Sequence, residues 1–232
     1  MIVELARASV PYRIYATSGG GTTSRFGDFY ENRITGERAV VLRGDEDRKP
    51  GQSGVAHLTV RPHGAVAGEH LHPQILERFL VVSGTLGTRV AGVEVELGPG
   101  EQATAEPGTP HDWWNAGETD ASVLVEVEGP DEQATRFEGM IANVFGLAND
   151  GRTNARGTPA MLQLALLARE FDDVIRFSRP PRAVQRPLFA LLGGVGRARG
   201  LRGSYPQYQH PHGRTSPDPR VVRLAGITSA AW

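Results

Sequence analysis

Three histidines and one glutamate have the types and the spacing for metal chemistry. His70 and His72 stand two apart in Gly64-AVAGE-His70-Leu-His72-PQIL-Glu77. Alternate residues of a strand point to one face, so both imidazoles can meet one ion. Glu77 follows across a turn, where a return strand brings its carboxylate to the same point. His111 opens a further strand-like run, His111-Asp-Trp-Trp-Asn115, after the turn at Pro107-Gly108. Three neutral imidazoles and a carboxylate suit one divalent transition metal per chain (Fe, Mn, Ni, Cu or Zn). Coordination positions stay open for water, dioxygen or substrate. The chain has no cysteine. That excludes disulfides, thiolate metal sites, iron–sulfur clusters and cysteine nucleophiles.

The elements that must place these residues are short strands. Runs rich in Val, Leu and Thr recur at 38–43, 54–61, 77–82, 87–97 and 122–128, between Gly, Pro and Asp punctuation. Many short strands with frequent turns predict a sandwich or barrel over 26–130. The preceding stretch, 1–25, reads as an arm ending in a Gly/Ser/Thr hinge at 18–24. A helical extension is predicted over 131–200, because Phe137, Met140, Ile141, Val144 and Phe145 recur at helical spacing. Thr158-Pro159 reads as the start of a second helix carrying Met161 to Ile175, stopped by Pro180-Pro181. A third helical stretch, 183–192, is expected to end at Gly193-Gly194. Residues 201–232 are rich in proline and polar residues and read as an irregular basic tail. From Gly196 onward six arginines accompany one acid, Asp218.

The metal-type residues lie in two segments that resemble the two motifs of the cupin superfamily. The first runs Gly64, five residues, His70-x-His72, four residues, Glu77, six residues, Gly84. The second runs Gly100, five residues, Glu106 where the pattern has proline, then Gly108, His111 and Asn115; here the proline stands at Pro107. The resemblance covers about a third of the chain. It implies a mainly β fold, a cupin-type antiparallel β-barrel (double-stranded β-helix or jelly roll), with the N-terminal arm and C-terminal α-helices added. It also implies a homodimer, and His70, His72, Glu77 and His111 as metal ligands. Gln74, Ile75 and Phe79 would be pocket wall by resemblance and barrel core by default. Trp113 and Trp114 face opposite sides of a strand, so one of them could line the pocket. His57 shares a face with Thr59 and Arg61, a structural position first and a pocket position second.

The leading function is a metal-dependent oxygenase acting on a small enolic or phenolic molecule, as in quercetin dioxygenases, with Glu77 as ligand and proton acceptor. The alternatives are a redox-neutral metal enzyme (isomerase, cyclase, lyase or hydrolase) and a non-catalytic small-molecule-binding cupin. With a net charge of −1 and no basic–aromatic platform, a nucleic-acid partner is not expected. No run reaches the roughly 20 apolar residues of a membrane span, and the default compartment is the cytoplasm. The apolar run at 188–195, beside arginines, keeps contact with a membrane surface as a lesser reading. A second His-x-His, His210-Pro-His212, sits in the tail without an acid at suitable spacing and is read as no site.

Overall fold

The computed structural model describes residues 24–65 and 68–227. The N-terminal arm and its hinge, apart from Ser24 and Arg25, therefore lie outside the described residues. Twelve short strands are present among these residues: β1 (Asp28–Asn32), β2 (Glu37–Arg43), β3 (Gly54–Val60), β4 (His70–Leu71), β5 (Leu76–Ser83), β6 (Leu86–Val90), β7 (Val93–Leu97), β8 (Gln102–Ala105), β9 (His111–Asn115), β10 (Ala121–Glu128), β11 (Arg176–Phe177) and β12 (Gly213–Arg214). They form two antiparallel sheets, ordered β12-β1-β2-β3-β10-β5-β8 and β11-β4-β9-β6-β7. This is the two-sheet cupin architecture that the resemblance implies. The run 87–97 divides into a β6–β7 hairpin because Ala91 and Gly92 both take positive φ, as a two-residue primed turn requires. At Gly84 φ is +81°, and a side chain there would meet the Ala121 backbone at 2.8 Å. The glycine thus serves both the turn and the close approach of β10.

Period-two burial orients the strands. Glu77, Phe79 and Val81 of β5 are buried between the sheets with Val60, Leu86, Trp113, Val123 and Val125. The opposite face of the seven-stranded sheet carries Leu42, Val55 and Leu124.

Four helices complete the described fold: α1 (Asp131–Asn149), α2 (Met161–Glu170), α3 (Arg182–Ala198) and α4 (Pro219–Leu224). Met140 and Leu147 of α1, Leu167 of α2, and Phe171 and Val174 after it join the core cluster between the sheets. The extension therefore shares the barrel's hydrophobic core.

Four local expectations are corrected. Thr158-Pro159 does not open α2, whose first residue is Met161 after Ala160. The Asn154 side chain instead accepts from the Thr158 amide, holding it in the preceding loop. The helix also stops at Glu170, so residues 171–175 form a turn rather than its last part. The pair Gly193-Gly194 does not end α3, which runs to Ala198. Gly193 and Gly196 face α2, where a Cβ on Gly196 would sit 2.8 Å from Leu166 Cδ1; they bring the helices together. The described part of the tail, up to residue 227, is not irregular throughout either. Tyr205 and Tyr208 are buried in the main core, β12 extends the sheet beside β1, and α4 covers the outer face with Val221 and Val222. Its apolar residues dock singly on different surfaces, so no periodicity announces them.

Candidate metal centre

The first ligand strand, β4, is only two residues long and is held from both sides. His70 pairs with His111 of β9, and β11 from the helical extension pairs Phe177 with His70. His72 follows directly, Glu77 projects inward from β5, and His111 opens β9. All four side chains are buried, and one ligand atom of each lies within 4.8 Å of the others.

Each imidazole is aimed by a main-chain carbonyl. His70 Nδ1 lies 2.9 Å from the Gly68 carbonyl, His72 Nδ1 2.7 Å from Val174 and His111 Nδ1 2.9 Å from Thr109. A carbonyl only accepts, so each Nδ1 carries the hydrogen and donates it. That leaves three Nε2 atoms free for one centre, the arrangement by which outer-shell contacts orient metal-binding histidines. Glu77 Oε2 lies 3.0 Å from His111 Nε2 and 3.3 Å from His72 Nε2. The second contact lacks hydrogen-bond geometry, so His72 Nε2 is a buried nitrogen without a partner. A buried, unsatisfied acceptor beside a buried carboxylate fits a cation.

The electrostatics agree. Burial alone would push the Glu77 carboxyl up, but contacts with His111 and His72 outweigh it and hold it below the usual carboxylate range. Burial, reinforced by His111 and His72, pushes His70 down to about 4. Burial also opposes the charged form of His111, yet the Glu77 hydrogen bond and charge prevail and raise it. A metal ion held by these four residues would compete with protons for the His111 Nε2 and Glu77 Oε2 atoms, 3.0 Å apart.

Around this polar knot the walls are apolar. The Phe137 ring of α1 meets His72 edge-on at 5.3 Å, Phe79 lies 6.4 Å from His111, and Trp113 lies 6.1 Å from Phe79. Ile75 is fully buried in the same cluster. The other sequence candidates are not brought here. His57 lies on the outer face of β3, level with Val40 and Leu124, with Nε2 2.6 Å from Ser122 Oγ. Gln74 is exposed. Trp114 faces away from the centre, against Gly87 and under Arg89. Asn115 braces a turn through Val60, Thr119 and Gly117. His212 accepts from the Glu31 amide, so the second His-x-His contributes a structural contact. Sequence reasoning missed Val174 and Phe137 as parts of the centre. Val174 acts through its carbonyl, which leaves no side-chain signal, and Phe137 looked like ordinary helix core.

The fold and the centre define a class: a two-sheet β protein with three imidazoles and one carboxylate converging between the sheets. Residues 56–127, about a third of the chain, match the family model described as "Cupin domain". A cupin protein from Bacteroides fragilis is similar at 19% identity, covering 34% of this chain and 66% of that one with a TM-score of 0.32. The match thus spans just under two thirds of that protein. An uncharacterized conserved protein with a double-stranded β-helix domain from Klebsiella pneumoniae is 22% identical, covering 40% and 76%, TM-score 0.34. A sugar phosphate isomerase of the cupin superfamily from Silicibacter pomeroyi is 21% identical, covering 47% and 69%, TM-score 0.36. No curated protein matches the chain.

Proposed function

We propose that this cupin binds one divalent transition metal through His70, His72, Glu77 and His111 and uses it in an oxygenase reaction on a small enolic or phenolic molecule. The observation that carries the metal reading is the set of three carbonyl-held imidazoles whose free Nε2 atoms converge on a buried carboxylate. Such an ion supplies Lewis acidity and, if redox-active, a route for electrons to dioxygen. The donor set leaves room on a six-coordinate ion, which is what supports oxygen chemistry at this centre.

The chain's own residues do the rest. Glu77, kept ionised by its histidine neighbours, accepts a substrate hydroxyl proton at Oε2. Phe79, Phe137, Ile75 and Trp113 keep the surroundings poor in water, which strengthens every charge contact within. The test pairs elemental analysis of the purified protein with oxygen uptake over a panel of enolic and phenolic compounds. Near-stoichiometric Fe, Mn, Ni or Cu with substrate-dependent uptake is expected. Product formed equally well without oxygen overturns the oxygenase and leaves redox-neutral metal chemistry. A protein that takes up no metal on reconstitution overturns the metal centre itself.

A further inference from the structure

A groove of about 270 Å³ lies between the end of α2, β11 and the first half of α3. Its charged lining is four arginines and one acid: Arg169, Arg176, Arg182 and Arg186 around Asp172. Its apolar wall includes Ile175 and the half-buried rings of Phe177 and Phe189. Along the chain this bias is hidden, because residues 169–186 also hold Glu170 and Asp173. The fold turns both acids away: Asp173 pairs with Arg136, and the Glu170 side chain lies against Gly203. β11 also pairs with the strand bearing His70, so the groove adjoins the metal centre yet shares no ligand with it.

Asp172 shows what these arginines accept. Its Oδ2 lies 2.9 Å from Arg182 Nη2 and 3.5 Å from Arg176 Nη2, so guanidinium groups from two elements share one oxyanion. Burial pushes the Asp172 carboxyl up, yet Arg182, Arg176 and Arg186 together hold it below its usual range. Arg169 and Arg186 have no acid within ion-pair distance among the described residues. Arg169 Nη1 donates to the Ala190 carbonyl at 3.3 Å. Outside the described residues the sequence has one acidic side chain, Glu4, so the groove keeps an excess of positive charge even with Glu4 against it. Guanidinium forks match the oxygens of a phosphate group two at a time, and a concave site concentrates their field. The volume lies just under the roughly 300–1,000 Å³ of ordinary ligand pockets, which suits a small molecule.

We propose that this groove binds a phosphate monoester of a small organic molecule. Arg169, Arg182 and Arg186 hold the phosphoryl oxygens, and the organic part lies against Phe177 and Phe189. The site stands apart from the metal chemistry and does not depend on it.

Isothermal titration calorimetry on the full chain tests the site with two probes, inorganic phosphate and phenyl phosphate. Both are expected to bind saturably at one site per chain, phenyl phosphate the more tightly. Arg186 is exposed and makes no ion pair among the described residues, so Arg186→Glu should keep the circular dichroism and metal content of the wild type. The same variant should bind phenyl phosphate about 10-fold or more weakly, the cost of a lost charge-assisted hydrogen bond. Arg169→Ala should weaken it as well. Arg197→Glu/Arg199→Glu removes positive charge from the same helix outside the groove and should change little. A wild type that binds neither probe overturns the proposal, and so does an equal loss in the Arg197→Glu/Arg199→Glu control. Binding that His72→Ala loses and Arg186→Glu keeps assigns the anion to the metal centre and overturns the groove. Equal affinity for the two probes overturns the organic part of the ligand and leaves inorganic phosphate. Flotation with phosphatidylglycerol vesicles, without a response to either soluble probe, overturns the small-molecule site and gives the arginines to a membrane surface.

Discussion

At the scale of single residues, the centre rests on four side chains and three carbonyls. Removing one imidazole deletes one donor. His70→Ala, His72→Ala and His111→Ala should each weaken metal binding by more than the roughly 10–100-fold typical of outer-shell changes. Elemental analysis after dialysis reads the loss, and unchanged metal content in all three variants would sink the site. Glu138 makes a separate prediction. Burial, joined by Asp45 and Asp47 and opposed by Ser24 and Arg48, pushes its carboxyl up to about 7. The folded state therefore favours the protonated form. The stabilisation is complete below the unfolded value near 4.5 and is lost as pH rises through 7. Glu138→Gln should gain thermal stability over the wild type at pH 8 relative to pH 5, and parallel melting profiles for the two proteins would refute this. All four proposed ligands are legible in the sequence, because a two-residue spacing on a strand and an acid after a turn are local patterns. The carbonyl of Val174 is not legible, because any residue at that position carries one.

At the scale of elements, the packing of α3 on α2 has a sharp internal contrast. A Cβ on Gly196 would lie 2.8 Å from Leu166 Cδ1 and 3.3 Å from the Leu162 carbonyl oxygen, whereas one on Gly194 meets nothing within 4 Å. Gly196→Ala should cost about 1–3 kcal/mol by overpacking, while Gly194→Ala should stabilise by about 0.5–1 kcal/mol through helix propensity. Denaturant titration of the two variants checks both signs. A double glycine reads locally as a helix stop, and only the neighbouring helix shows why this one is not. The same holds for β11. Two residues, Arg176 and Phe177, carry no strand pattern of their own, yet they pair with the strand bearing His70. Strands long enough to alternate, such as β5 and β10, are visible in the sequence. Strands of two residues exist only because a partner is present.

At the scale of the whole molecule, the extension and the tail are parts of one fold with the barrel. Deleting residues from 204 onward removes buried Tyr205 and Tyr208, the β12 edge and the α4 cover. Sequence composition suggests that the barrel would survive this cut, whereas the structure predicts a strongly destabilised or aggregating product. Truncating Tyr208 alone to Ala should cost about 3–5 kcal/mol, the range for a buried aromatic, since its ring fills the space over Gly146. A truncated chain melting at the wild-type temperature would overturn this view. Metal should raise the melting temperature of the full chain in a concentration-dependent way, because the ion binds only the folded arrangement. Conversely, a chelator should lower it. The sequence alone determined the strand-rich middle, the three helical stretches and the candidate donor set, because alternation, helical spacing and residue spacing are encoded by neighbours along the chain. Tertiary structure alone decided that Val174 and Phe137 close on His72, that His57, Gln74 and Trp114 point away, and that the tail is core. Those facts depend on which distant surfaces meet, and contacts between residues a hundred positions apart leave no local pattern to read.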